Sequence, residues 1–143
     1  MSGSRPSVGE VQRVAEFRAA LRRFQARSDQ AARSADLTPQ RYLLLVTIKG
    51  APDGSERATV SEVADRLHMP QTTVSDLVAR AEAVGLLRRV QSAVDGRMAH
   101  LSLTDEGERR LAGCMEALDN DRDELELALS SATRRMRSMG RPS

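Results

Sequence analysis

With 143 residues, 40% of them hydrophobic and 29% charged, the chain is large enough for one well-buried domain and too small to hold two comfortably. That composition excludes a disordered or membrane-embedded polymer, and Met1 to Pro6 lacks the apolar stretch of a signal peptide, so a cytoplasmic protein is expected. One cysteine, Cys114, and two histidines leave no internal disulfide and no cluster of metal ligands, so neither a cofactor nor a metal is expected. The net charge of +2 says little about nucleic acid, but its distribution is uneven. Residues 105–130 are strongly acidic and the segments around them are basic, which favours a polarised surface.

From about Val8 to Arg33, Val14, Phe17, Leu21, Phe24, Ser28 and Ala31 fall at alternating steps of three and four, the spacing of a helical seam. Arg13, Arg18, Arg22, Arg23 and Arg27 occupy the outer face and read as ordinary solvated charge. A second, short helix is expected where Thr38 precedes Pro39, a cap followed by a proline in the first turn. It continues through the apolar run from Tyr42 to Ile48 and stops at Gly50-Ala51-Pro52.

Thr59-Val60-Ser61-Glu62 has the spelling of a capping box, and Val60, Val63, Ala64 and Leu67 give the following helix one apolar face. After a break at His68-Met69-Pro70, the stretch Gln71 to Val84 places Val74, Leu77, Val78 and Ala81 on one side, with Gly85 positioned to end the helix. Two short helices joined by a tight turn make a helix-turn-helix candidate. Leu86 to Gln91 and Met98 to Leu103 then read as two strands joined around Asp95-Gly96. Thr104 begins a last long helix, whose first turn carries Asp105, Glu106 and Glu108 and whose seam runs through Leu111, Met115, Leu118, Arg122, Leu125 and Leu129. Ser131 to Ser143 is expected to fray. The expected fold is mainly α with a small β-hairpin wing: a winged helix-turn-helix lobe at 38–104 between dimerisation helices at 8–34 and 105–143, all one domain. Two apolar seams exceed what so small a lobe covers, and pairing of two chains about a two-fold axis is the natural solution.

In a helix-turn-helix the second helix enters the major groove, so the face opposite its core must be small or polar. Here that face holds Thr72, Ser75, Asp76, Ala79 and Ala83, flanked by Gln71, Thr73 and Arg80. Hydroxyls bond bases or phosphates, Asp76 suits a cytosine amino group, and Ala79 suits a thymine methyl. An ordinary amphipathic helix with a polar outer face has the same pattern. What separates the two readings is the hairpin: a slender tip bearing Arg97 fits a narrow minor groove, and Arg88 and Arg89 add charge within phosphate range.

The run Leu37-Thr38, Thr59 to Ala64, Thr73-Val74-Ser75, Gly85 to Arg89, Asp95-Gly96-Arg97 and Leu103 to Gly107 resembles the multiple antibiotic resistance regulator (MarR) family in order and spacing. The resemblance covers nearly the whole chain, and its most specific piece runs from Asp95 to Gly107. It implies a triangular homodimer on pseudo-palindromic double-stranded DNA, with Arg97 in the minor groove and Asp95 orienting it. It also implies repression relieved by a small effector, commonly an aromatic acid. Departures from the family are a cysteine far from the first helix, too few histidines for zinc sensing, and aromatic residues limited to Phe17, Phe24 and Tyr42. Arg122, set within an apolar seam, must find an anion: an acidic side chain of the partner subunit, solvent, or the carboxylate of an effector. The competing function is a winged helix that binds protein rather than DNA, against which stands the lack of exposed aromatic anchors. An enzyme is not expected, because no nucleophile with its base, carboxylate pair or phosphate loop is legible.

Overall fold

The structure, a computed structural model, describes residues 3–91 and 98–139. Five helices and a two-stranded hairpin follow in the order α1 (Val8–Ser34), α2 (Pro39–Lys49), α3 (Val60–Leu67), α4 (Gln71–Ala83), β1 (Leu87–Gln91), β2 (Ala99–Leu103) and α5 (Asp105–Met139). Among the described residues, no helix is long and apolar enough to cross a membrane.

The helix starts obey local chemistry. Thr38 Oγ1 accepts from the Arg41 N–H at 3.1 Å, and Pro39 fills a first-turn position that needs no donor. Thr59 and Glu62 exchange both bonds of a capping box. Ser7 and Glu10 do the same at the start of α1, a signal with the same spelling that the sequence reading passed over. α3 ends on His68, held in the left-handed region at φ 53°. Gly85, at φ 77°, turns the chain from α4 into the wing, where an L side chain is rarely tolerated.

The core is built from the faces that periodicity selects. Leu44, Leu45 and Ile48 of α2, Val63 of α3, and Val74 and Val78 of α4 are fully buried with Leu86 and Leu101. Each of the larger side chains contributes about 1.5–3 kcal/mol by leaving water. In the antiparallel hairpin, Leu87 pairs with Leu103 and Gln91 with Ala99, so Leu101 and Leu103 face the core. The stretch before α3 also joins the wing: Ala58 and Leu101 exchange backbone hydrogen bonds of 3.1 and 2.7 Å, a bridge that no sequence signal had indicated.

The two long helices pack on each other within one chain. Ala31 and Ala32 of α1 and Leu111, Cys114 and Leu118 of α5 are buried, so the inner ends of both seams are satisfied without a second subunit. The outer ends remain open: Val8, Val11, Val14 and Leu21 on α1, and Leu127 and Leu129 on α5, are exposed. Arg27 clamps the pair from the side, 2.6 Å from Asp121 and 3.1 Å from Glu124. Toward the lobe, Lys49 at the end of α2 meets Glu108 at 2.7 Å, and Arg110 donates to the Asp36 carbonyl at 2.9 Å.

Candidate nucleic-acid interface

α4 is held by one face. Val74, Leu77, Val78 and Ala81 are buried, and Gln71, Thr72, Thr73, Ser75, Asp76, Ala79, Arg80 and Ala83 are all exposed. The 100° step of the helix therefore brings the candidate base-reading residues together on one accessible surface. At its start, Pro70 caps without a side-chain bond, while the Val74 N–H reaches the Pro70 carbonyl at 3.1 Å. This leaves the first turn, with Thr72 and Thr73, free to offer hydroxyls and backbone donors to a phosphate. Arg80 has no ion pair among the described residues, so its charge is available outward.

On β1, Arg88 is exposed and its Nε donates to Ser102 Oγ at 3.2 Å, which orients the guanidinium while its other donors meet no partner among the described residues. Arg89 differs. Its Nε lies 2.7 Å from Glu82 Oε1, tying the wing back to α4, so the second arginine of this pair is partly neutralised. Asp95 and Arg97 lie outside the described residues. The paired strand ends that flank them, Gln91 and Ala99, belong to the hairpin next to α4.

The wing is fastened to the long helix by two residues. Thr104 Oγ1 donates to the Gly85 carbonyl at 2.6 Å and accepts from the Gly107 N–H at 3.1 Å, so one hydroxyl both caps α5 and holds the exit of α4. Gly107 lies against the Leu86 carbonyl so closely that an added Cβ would fall 2.2 Å from it. The sequence marks Thr104 as the cap of α5, as found, but neither its bond to the Gly85 carbonyl nor the role of Gly107 was read there. The Leu-Thr-x-x-Gly spelling was visible, but its reason is a carbonyl about twenty positions away.

Arg122 sits on α5, half-buried, and donates to the Met115 carbonyl at 3.1 Å. It also forms a close ion pair with Asp119 of its own helix, so the anion its position demanded is supplied within the chain. Burial pushes the Tyr42 phenol up from its ordinary value, Cys114 adds to the rise, and Arg122 opposes it, which puts these three side chains in one neighbourhood. Burial likewise pushes the Cys114 thiol up, again against Arg122.

Comparison with known proteins agrees with this arrangement. The sequence profile of the MarR family matches residues 35–98. The chain is 35% identical over 83 residues to the HTH-type transcriptional regulator TtmR of Methylorubrum extorquens, a match covering 58% of this chain and 40% of that protein. It is 34% identical over 85 residues to the transcriptional regulator HosA of Escherichia coli, covering 59% and 60% of the two chains. The matches thus span about half of the relatives' length. Among solved structures, Sco3205 of Streptomyces coelicolor, a MarR family transcriptional regulator in complex with DNA, superposes with a TM-score of 0.68 at 24% identity over 99% of this chain and 94% of that one. The profile match makes residues 35–98, the helix-turn-helix and the first strand of the wing, similar to the MarR family, and the fold from α1 to α5 is shared with a solved member of it.

Proposed function

We propose that this chain is a sequence-specific double-stranded DNA-binding transcriptional regulator, a repressor that works as a homodimer and is released by a small molecule. One observation carries the proposal: α4 buries a strict apolar face and exposes an uninterrupted row of small and polar side chains, Thr72, Thr73, Ser75, Asp76, Ala79 and Arg80. A helix of that profile approaches base edges without steric conflict, and Arg80 and Arg88 flank it with positive charge. In this reading Gln71, Thr72 and Thr73 hold the phosphate at the start of α4, Ser75 and Asp76 face bases, and Arg97, oriented by Asp95, enters the minor groove. The exposed apolar ends of α1 and α5 support pairing of two chains. Two such lobes would span half-sites roughly 34 Å apart, one turn of DNA. A dimer occupying that length of a promoter excludes polymerase, so repression is the simplest output.

The test is selection from a random double-stranded DNA pool by the purified protein at fixed, near-physiological salt, because the phosphate contribution is salt-dependent. Enrichment of a two-fold symmetric motif is expected, weakened in Arg97→Ala. No enrichment by a folded protein would overturn the proposal in favour of a winged helix that serves a protein partner.

A further inference from the structure

Arg89 stands at a strand position that faces the core. It pairs with Leu101 across the hairpin, Leu101 is fully buried, and Leu87 two residues earlier is buried too. At this rim the guanidinium meets α4, its Nε 2.7 Å from Oε1 of Glu82 in the last turn of that helix. Arg88, the next position along, belongs to the opposite face of the strand and bonds to Ser102 within the wing. The other fastenings between α4 and the wing lie at the wing's base: the Gly85 and Leu86 N–H groups bond to the Glu82 and Ala81 carbonyls, and Thr104 holds the Gly85 carbonyl. Further out, β2 is tied on its other edge by the bridge from Ala58 to Leu101. For β1, Glu82 with Arg89 is the one side-chain hydrogen bond to α4 among the described residues.

A strand rises about 3.3 Å per residue, so the pair grips β1 about 7 Å beyond Leu87, and any swing it prevents there grows in proportion toward the residues between the two strands. With the two side chains 43% and 31% exposed, such a pair adds little to folding stability. What it fixes is the angle between the wing and α4. We propose that Glu82 and Arg89 are positioning residues that lock the wing to the reading helix, so that the contacts of α4 in the major groove and of Arg97 in the minor groove are made together. The inference rests on the DNA-binding reading and deepens it. On this account Arg89 takes its anion from the protein and not from DNA, which separates its role from that of Arg88.

The experiment is fluorescence anisotropy on the DNA site selected by the parent protein, across a salt series, with urea unfolding to show that each variant is folded. Glu82→Gln and Arg89→Gln should each weaken binding about threefold or more with an unaltered salt slope, and the double variant should be no weaker than either. The swapped pair, Glu82→Arg with Arg89→Glu, should recover most of the loss. Arg97→Ala should cost the Glu82→Gln protein several-fold less affinity than it costs the parent, because a wing that is no longer held contributes less. A Glu82→Gln protein that binds more tightly with a steeper slope, or an Arg89→Gln slope lower by about 1, would make Arg89 a phosphate ligand and overturn the proposal. Undiminished binding by both single variants, or an Arg97→Ala cost equal in the two backgrounds, would overturn it as well. These outcomes leave the DNA-binding reading standing, whereas a parent protein that selects no DNA site overturns that reading and this inference with it.

Discussion

Replacing Gly107 with alanine sets two effects of known size against each other. Alanine in a helix interior is favoured over glycine by about 1 kcal/mol, because glycine loses more backbone freedom on folding. The new Cβ, however, would stand 2.2 Å from the Leu86 carbonyl oxygen and 3.2 Å from its carbon, both backbone atoms that cannot rotate away. Relief requires the first turn of α5 to retreat by roughly 1 Å, straining a well-packed site at about 1–3 kcal/mol. That retreat also loosens the 3.1 Å bond from the Thr104 N–H to the same carbonyl, a loss of about 1 kcal/mol. The clash outweighs the propensity, and Gly107→Ala should destabilise the protein by about 1–3 kcal/mol net. Gly113 on the same helix is the internal control: its nearest neighbour to an added Cβ is the Ala35 Cβ at 3.9 Å, so Gly113→Ala should stabilise by up to about 1 kcal/mol. Urea unfolding at one fixed protomer concentration reads both, since association contributes to apparent stability. A Gly107→Ala protein as stable as the parent would refute the reasoning, as would two variants shifted in the same direction.

Three further outcomes are expected. His68→Gly, which relieves a left-handed residue in the helix-turn-helix turn at φ 53°, should stabilise by about 0.5–1 kcal/mol in the same urea assay, the αL penalty less the extra chain entropy of glycine. The Glu106 carboxylate, hydrogen-bonded by Arg109 and Arg110, is held at about 2 instead of 4.5. Its contribution is therefore complete above its unfolded-state value and is lost as pH falls through about 2. A side-chain NMR titration should show no Glu106 transition near pH 4.5, and a midpoint there would contradict the contacts. Cys114, fully buried and with its thiol pushed up by burial, should resist an aromatic disulfide reagent in the native protein and react in full in urea. Rapid native labelling would mean that α5 does not pack as described.

The parts of the fold that could be read from sequence are those whose cause is local. Thr38-Pro39, Thr59 to Glu62 and the apolar face of α4 each carry their reason within one or two turns, and all three stand where periodicity and capping chemistry put them. Ser7 and Glu10 show that a local signal can still go unread, because no apolar run follows them as clearly. Gly107 and the bridge from Ala58 to Leu101 were not legible, since each exists to meet a backbone group far along the chain. Arg122 lies between these cases: its need for an anion followed from the seam, and its partner Asp119 was three residues away.

The measurement closest to the central claim is a comparison of Asp76→Ala and Arg88→Ala on the selected DNA site, by fluorescence anisotropy across a salt series and against single-base variants of that site. If α4 reads bases and the wing strand holds phosphates, Asp76→Ala should relax preference at one base pair per half-site, worth about 1–3 kcal/mol, with an unaltered salt slope. Arg88→Ala should weaken all sequences alike and lower the slope by about 1. Two variants that lose affinity uniformly, with no base position relaxed by either, would contradict the assignment of α4 as the reading helix.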